Sequence, residues 1–198
     1  MSQLAVTRQR AKNWLREKGS RLHPPLGGMS RKDAARWASA QNMADLGEMV
    51  VAWLNGEVAQ TPGHCGPPCA ETIPLTPVLT VVNRAGFITD NSQQAGRSWT
   101  TWVLGFADDA TMAALEAATQ DSGLIFNACR EPEHQCDGQP WGWPDCPSDD
   151  AKGFWAEACP AVAPWLRDAW WVYIEDPEPG RNSLLWPLLA EFAGQVTA

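Results

Sequence analysis

The alternation of apolar and polar residues predicts helices over much of the chain. The clearest case is a set of apolar residues at helical spacing, which comprises Leu46, Met49, Val50, Trp53 and Leu54. Side chains at these positions share one face of a helix and pack against a core. Asn42 precedes the set and Gly56 follows it, and residues of these types begin and end helices. The pattern therefore predicts a helix over residues 43–54.

Further helices and strands follow from the same kind of pattern. Helical periodicity predicts more core helices, over residues 77–85, 109–122 and 184–193. Runs of β-branched and aromatic residues predict strands, over residues 87–90, 99–107, 124–128 and 169–174. A polar loop joins the first two strands as in a hairpin, and the helix between the second and third strands favours parallel pairing. We therefore expect an α+β fold, with a small mixed sheet of about four strands and helices packed mainly on one face.

A Pro- and Gly-rich stretch divides the chain into two parts. Residues 4–18 mix basic and apolar residues in a pattern that predicts an amphipathic helix, and the stretch from Pro24 to Gly28 ends it. We interpret residues 1–28 as a basic N-terminal arm with a Pro/Gly hinge. Residues 29–198 then form a single α+β domain, because a chain of 198 residues has the usual length for one hydrophobic core.

The formal net charge of −8 is unevenly distributed along the chain. Residues 1–36 have a balance of +7, and the rest of the chain has a balance of −15. An acidic body repels phosphate backbones, which excludes nucleic acid as a partner except through residues 1–22. The alternative for this basic arm is that it stays solvated or folds against the acidic body. No apolar run has the length of a membrane span or the place of an export signal, which predicts a cytoplasmic protein without membrane contact.

Several short motifs resemble a known family. These motifs are Glu71-Thr72, Asn83-Arg84-Ala85-Gly86-Phe87-Ile88-Thr89, Ser92-Gln93, Gly105-Phe106 and the flanking segment from Asp176 to Trp186. Together they resemble an actinobacterial family described only as a domain of unknown function, over about residues 37–192. The resemblance implies a chromosomal, phage or mobile-element context, and it implies no activity. The Cys-rich stretch 129–146 is not part of the matching pattern.

Polar residues of these motifs form the first candidate site. They lie before and after one short helix and one strand, and they are Glu71, Asn83, Arg84, Thr89, Ser92 and Gln93. An Arg guanidinium binds carboxylate or phosphate with two hydrogen bonds, so a ligand-binding site is one interpretation. The alternative is structural: Asn83 and Arg84 end the helix, Glu71 pairs with Arg84, and the other side chains form a turn.

Histidine and cysteine residues form the second candidate site. Zinc takes four thiolate or imidazole ligands, and suitable residues occur in two groups, which are His64, Cys65 and Cys69 and then Cys129, His134, Cys136 and Cys146. We predict that zinc, if bound, takes His64, Cys65, Cys69 and Cys136. The alternative is that these thiols are free or crosslinked in loops. Cys65 is a poor candidate for a nucleophile, because its neighbour His64 is expected to point away from it.

Twelve Trp residues against one Tyr make the composition unusual. Six of these Trp residues lie between positions 141 and 171, and they are Trp141, Trp143, Trp155, Trp165, Trp170 and Trp171. They are suited either to an aromatic cage or to packing in the core and loops, and packing is the favoured interpretation.

The absence of a recognisable nucleophile and base pair favours a binding function over catalysis. We expect a non-catalytic protein that binds a small polar or anionic ligand, or the end of a peptide, near Arg84 and Glu71. One alternative is an enzyme, a hydrolase or transferase, that uses Glu71 as its acid or base. A further alternative is an acidic inhibitor of a host protein, encoded by a phage or mobile element and steered to its partner by charge.

Overall fold

The computed structural model describes residues 29–130 and 148–196 of the chain. Among these residues, the helices are α1 (Arg31–Ala38), α2 (Met43–Leu54), α3 (Thr76–Arg84), α4 (Asp109–Thr119), α5 (Ser148–Ala158), α6 (Ala163–Asp168) and α7 (Leu185–Val196). The strands are β1 (Ile88–Gln93), β2 (Thr101–Ala107), β3 (Ile125–Cys129) and β4 (Trp170–Asp176). A short 3-10 helix over Ile73–Leu75 leads directly into α3. The prediction of an α+β fold with about four strands is confirmed.

Side chains at the N-terminal ends of the helices explain where they begin. Ser30 accepts a hydrogen bond from the backbone N–H of Asp33 at 3.0 Å, which begins α1. Asn42 accepts one from the N–H of Asp45 at 2.9 Å, and α2 has the bounds that its sequence pattern predicts. After α3, Gly86 turns the chain with a φ of +93°, a left-handed conformation that favours glycine.

The sheet has the strand order β1-β2-β4-β3, and every neighbouring pair is antiparallel. The predicted hairpin of β1 and β2 is confirmed. The predicted parallel pairing of β2 with β3, and with it the mixed sheet, is wrong. β2 and β3 do run in the same direction, but β4 lies between them and pairs with both. The helix α4 between β2 and β3 was enough to predict that these two strands run in the same direction. It held no information about which strand would pair with β2.

The centre of the sheet is buried on both faces at one end of β2. Every residue from Val103 to Ala107 is buried, and successive side chains of a strand point to opposite faces. Side chains therefore pack against both faces of the sheet here, whereas the sequence predicts packing mainly on one face. From α5, the fully buried Trp155 packs edge-on against Phe106 and Trp37, with ring centroids 5.6 and 5.4 Å apart.

The buried side chain of Asn83 joins the end of α3 to β1. Its Oδ1 accepts the backbone N–H of Thr89 at 2.9 Å, and its Nδ2 donates to Thr89 Oγ1 and to the carbonyl of Leu79, each at 2.8 Å. Asn83 has a relative exposure of 1%, so its polar atoms depend on these partners. The interpretation of Asn83 as a structural residue at the end of the helix agrees with these contacts.

The turn after β4 is held by a buried carboxylate. Asp176 has no exposed surface and accepts hydrogen bonds from Arg181 Nε at 2.6 Å and Nη2 at 2.7 Å. The next residue, Asn182, accepts the N–H of Ala95 at 2.7 Å and donates to its carbonyl at 3.1 Å. These contacts fix the loop between β1 and β2 against the turn, which accounts for the polar residues in this segment.

Some of the expectations fall on residues outside the described part of the chain. The basic arm 1–28, and with it the proposed nucleic-acid contact of residues 1–22, lies there, so the division into arm and single domain stays a prediction. Residues 131–147, which include most of the Cys-rich stretch 129–146, lie there as well. Within the described ranges, no helix combines the length and apolar character that a membrane crossing requires.

Replacing Asn83 with Ala should lower the free energy of unfolding by about 2 kcal/mol, because the buried N–H of Thr89 loses its acceptor. Urea unfolding with an unchanged m-value measures this loss. Asn55→Ala is the matched control, since Asn55 is exposed and its substitution should cost under about 0.5 kcal/mol. Equal losses for the two variants would contradict the structural role of Asn83.

Replacing Arg181 with Gln should make the stability of the fold depend less on pH in the acid range. Desolvation opposes ionisation of Asp176, but hydrogen bonds from Arg181 and from the N–H of Glu178 outweigh it and hold the pKa of Asp176 below its ordinary 3.8. A carboxylate with a lowered pKa stabilises the fold above pH 3.8, and this contribution disappears as the pH falls below it.

The melting temperatures of Arg181→Gln and the unchanged protein should therefore differ most near neutral pH and converge below pH 3.8. Arg167→Gln is the control, because Arg167 is exposed and forms no ion pair within the described residues. A difference that stays constant down to low pH would rule out the proposed ionic contribution of Asp176.

Candidate functional site

A small cleft lies between the loop that precedes α3 and the strand β1. Its volume is about 40 Å³, which is room for about three water molecules. The residues that line it are Trp53, His64, Cys69, Glu71, Thr72, Leu79, Thr89, Asp90, Asn91 and Ser92. The cleft thus contains members of both candidate sites, which were separate in the sequence analysis.

Hydrogen bonds and one aromatic contact hold the loop side of the cleft. Trp53 of α2 donates its indole N–H to the carbonyl of Gly66 at 2.9 Å, and its ring packs edge-on against His64 at 5.5 Å between centroids. Thr61 accepts the backbone N–H of His64 through Oγ1 at 2.9 Å, and its own N–H donates to the carbonyl of His64 at 3.0 Å. The position of His64 is therefore fixed by its surroundings on both sides.

The strand side of the cleft is held by Asp90. Its Oδ1 accepts the indole N–H of the buried Trp155 at 2.7 Å. The loop approaches this carboxylate at Gly63, where an added Cβ would lie 2.0 Å from Asp90 Oδ1. A residue with a side chain at position 63 would therefore push the loop away from β1. Glycine at this position is a requirement of the close approach.

His64 and Cys69 meet at the cleft. The imidazole Nε2 lies 3.9 Å from the Cys69 sulfur, a long contact for a hydrogen bond to sulfur. Burial lowers the pKa of His64, and it outweighs the opposite effects of a hydrogen bond to the backbone of Pro67 and of the Asp90 charge. Since Pro has no N–H, the backbone group of Pro67 is its carbonyl, which accepts from the ring. His64 is consequently neutral at pH 7.

Several polar groups around the cleft have unused hydrogen-bonding capacity. Among the described residues, no partner occurs for the carboxylate of Glu71 or for the hydroxyls of Thr72 and Ser92. Asn91 accepts the backbone N–H of Ser92 through Oδ1 at 2.8 Å, which leaves the two donors of its Nδ2 unpaired within the described ranges. Thr72 is 8% exposed, and it belongs to the lining of the cleft.

The residues of the first candidate site divide into two groups. Glu71, Thr89 and Ser92 line the cleft. Asn83 is buried beneath it, and Gln93 lies on the hairpin, where its Nε2 donates to the carbonyl of Thr100 at 3.4 Å.

Arg84 lies apart from the cleft. It donates from Nε and Nη2 to Glu48, at 2.8 and 3.1 Å, and the two side chains are 50% and 57% exposed. The expected pair of Arg84 with Glu71 is therefore wrong. The helical position of Arg84 was predicted correctly, but Glu48 on the neighbouring helix α2 lies closer than the loop that carries Glu71.

The residues of the second candidate site also separate. His64 and Cys69 line the cleft, whereas Cys65 is an exposed free thiol outside its lining. Cys129 is disulfide-bonded, which removes it from the possible zinc ligands, and Cys136 lies outside the described residues. Within residues 29–130 and 148–196, no three His, Cys, Asp or Glu side chains are arranged to hold a metal ion. A zinc site that includes Cys136 stays a prediction.

Five residues of the cleft were missed in the sequence analysis, which are Trp53, Thr72, Leu79, Asp90 and Asn91. Asp90 and Asn91 had a weak signal, because they form a polar run with Ser92 at the end of a predicted strand. Cys69 was considered only as a metal ligand, and Cys65 was considered as the thiol partner of His64. The chain turns between residues 64 and 69, and this turn brings the more distant cysteine to the imidazole.

Comparison with known proteins gives a family and no activity. The family described as a domain of unknown function, DUF6919, matches residues 32–139. The match covers more than half of the 198 residues, and the chain belongs to this family. The whole cleft lies inside the matched range. A search among curated proteins found no match.

Replacing Arg84 with Lys should leave the melting temperature close to that of the unchanged protein, because exposed ion pairs contribute little. Arg181→Lys is the matched comparison. It also keeps the charge, but it loses the two-fold hydrogen bonding to the buried Asp176 and should melt clearly lower. Thermal melts of both variants under identical conditions measure the difference. A larger loss of melting temperature for Arg84→Lys than for Arg181→Lys would show that the fold depends on Arg84 after all.

Proposed function

We propose that this member of the DUF6919 family is a binding protein for a small polar ligand with an ammonium group, held in the cleft between the loop 61–72 and β1. The observation that carries the proposal is the set of cleft side chains with unused hydrogen-bonding capacity, which comprises Glu71, Thr72, Asn91 and Ser92. The exposed carboxylate of Glu71 and the half-buried side chains of Asn91 and Ser92 are open to a ligand bound in the cleft, which would supply their partners.

The charges of the cleft favour a cationic ligand over an anionic one. Two carboxylates, Glu71 and Asp90, belong to its lining, and none of the lining residues is Arg or Lys. Asp90 is already engaged with Trp155, so Glu71 is the carboxylate with capacity for an ammonium group. Arg84, the residue expected to attract an anion, is bound to Glu48 outside the cleft. The sequence analysis expected a polar or anionic ligand, and the ligand proposed here is polar and cationic.

The size of the cleft limits what it can enclose. A volume of about 40 Å³ is far below the roughly 300 Å³ or more of a typical pocket for a drug-sized molecule. The cleft fits a single ammonium group with one or two attached atoms. Such a group is shared by small amines and by the amino end of a peptide, and these two sources have the same recognition chemistry.

The other candidate functions have less support from the described residues. An acid or base role for Glu71 depends on burial, and Glu71 is exposed. A flat surface that is both acidic and rich in Trp would favour the acidic inhibitor, and such a surface needs exposed Trp side chains. Among the Trp residues in the described part of the chain, Trp155 and Trp171 of the second half are buried, and only Trp99 is an exposed large hydrophobic residue.

Thermal-shift titration tests the proposal with three classes of compound. Methylamine and glycinamide represent small amines, a short peptide with a free amino end is compared with its N-acetylated form, and acetate and phosphate represent anions. The amines, or the free peptide, should raise the melting temperature in a concentration-dependent way. A shift with the free peptide but not with glycinamide would identify a peptide end as the ligand.

The variant Glu71→Gln should weaken binding of the ammonium compound by about tenfold or more, because it removes the charge that pairs with the ligand. Glu116→Gln is the matched control, since Glu116 is an exposed carboxylate on α4 outside the cleft. Shifts with acetate or phosphate alone, or equal binding by Glu71→Gln, would overturn the proposed ligand class.

A further inference from the structure

The thiol of Cys69 and the imidazole of His64 lie close together at the cleft. The thiol of Cys69 is exposed and free, and the sulfur lies 3.9 Å from His64 Nε2. Hydrogen bonds that are used in catalysis are often long in free proteins and shorten when substrate binds. The two side chains belong to one cleft, so a molecule bound there meets both of them.

The backbone of Cys69 is fixed at the beginning of a helical run. Its carbonyl accepts the N–H of Thr72 at 2.8 Å and the N–H of Ile73 at 3.2 Å, and the 3-10 helix and α3 follow directly. His64 is fixed by the packing of Trp53 and by the hydrogen bond from its backbone N–H to Thr61 Oγ1. Both members of the pair are therefore placed by rigid neighbours, as the groups of a reactive site must be.

We infer that Cys69 and His64 are the nucleophile and the base of an acyl-transfer site that accepts small activated esters or thioesters. The inference rests on the cleft proposed above as a ligand site, and it adds covalent chemistry to it. The imidazole of His64 faces the Cys69 sulfur with Nε2, and burial lowers its pKa, so the neutral ring has an electron pair for a proton.

In the first step, His64 takes the proton from the Cys69 thiol, and the sulfur attacks the carbonyl carbon of the ester. A carbon–sulfur bond forms, the bond from the acyl carbon to its alcohol or thiol breaks, and the proton on His64 passes to this leaving group. In the second step, a water molecule attacks the thioester carbon. His64 accepts a proton from this water and returns it to sulfur as the carbon–sulfur bond breaks.

Polar donors around the same cleft are available to stabilise the carbonyl oxygen of the ester and of the thioester. This oxygen becomes negatively charged during both steps. The unpaired Nδ2 of Asn91 and the hydroxyls of Thr72 and Ser92 line the cleft with Cys69. Such donors stabilise an oxyanion when they face it in a site that excludes water. The volume of about 40 Å³ restricts the acyl group to a small one, such as acetyl.

The other described thiols provide internal controls for this chemistry. Cys65 is exposed and free, but it does not line the cleft. Cys159 is buried, and desolvation raises the pKa of its thiol to about 12, which keeps it protonated and unreactive. A site-specific reaction at Cys69 is thus distinguishable from general reactivity of exposed thiols.

The test is acylation of the full chain by 4-nitrophenyl acetate, followed through release of 4-nitrophenolate and through the mass of the protein and its peptides. The result expected is one acetyl group per chain on Cys69, with loss of the reaction in Cys69→Ala and full retention in Cys65→Ala. His64→Asn should slow acylation by about a hundredfold or more. Melting curves confirm that each variant is folded before its rate is compared.

The pH dependence of acylation distinguishes a base from a merely structural His64. The titratable groups that line the cleft are His64, Cys69, Glu71 and Asp90. If His64 is the base, the acylation rate of the unchanged protein falls as His64 gains a proton, and this fall occurs below the ordinary imidazole value of 6.5. A His64→Asn variant that folds should lose this limb of the profile.

Several outcomes would overturn the inference. Acetyl groups spread over Cys65 and other residues, an unchanged rate in Cys69→Ala, or an unchanged rate and pH profile in folded His64→Asn would each do so. The ligand proposal is judged separately. A chain that binds an ammonium compound but neither releases 4-nitrophenolate nor acylates Cys69 disproves acyl transfer alone, and a chain that acylates Cys69 without any ligand shift disproves the ammonium ligand alone.

Discussion

The carboxylate of Asp90 accepts the indole N–H of Trp155 at 2.7 Å and stands against the backbone of Gly63. Trp155 is fully buried between Phe106 and Trp37, so this hydrogen bond connects the hydrophobic core to the edge strand β1 and to the loop before α3. The width of the cleft depends on it, because Asp90 sets the distance between the loop and the strand. An apolar core thereby determines the geometry of a polar site.

The cleft combines rigid walls with polar groups that have no partners. Trp53 holds the loop through Gly66 and packs on His64, and Asn83 holds β1 from below through Thr89. Polar side chains that line the cleft without partners among the described residues are available to a ligand. The pairing of a free thiol with a neutral imidazole in the same setting indicates preparation for chemistry.

The candidate site was only partly predictable from the sequence, and Arg84 shows why. Its position at the end of a helix follows from local periodicity, but its partner Glu48 belongs to a different helix, 36 residues away along the chain. Glu71 is much nearer to Arg84 along the chain than Glu48 is, yet helix packing brings Glu48 to it. Glu71 and Ser92 do meet at the cleft, since the helix and strand between them are short enough to bring their flanking loops to one edge.

The sequence by itself determined the features that depend on neighbouring residues. The bounds of α2, the caps at Ser30 and Asn42, and the turn at Gly86 follow from spacing, side-chain hydrogen bonds and backbone freedom within a few residues. The tertiary structure decided the insertion of β4 between β2 and β3, and it decided that Cys69 rather than Cys65 meets His64. Both outcomes depend on long-range packing, which involves residues far apart in the chain and leaves no local pattern in the sequence.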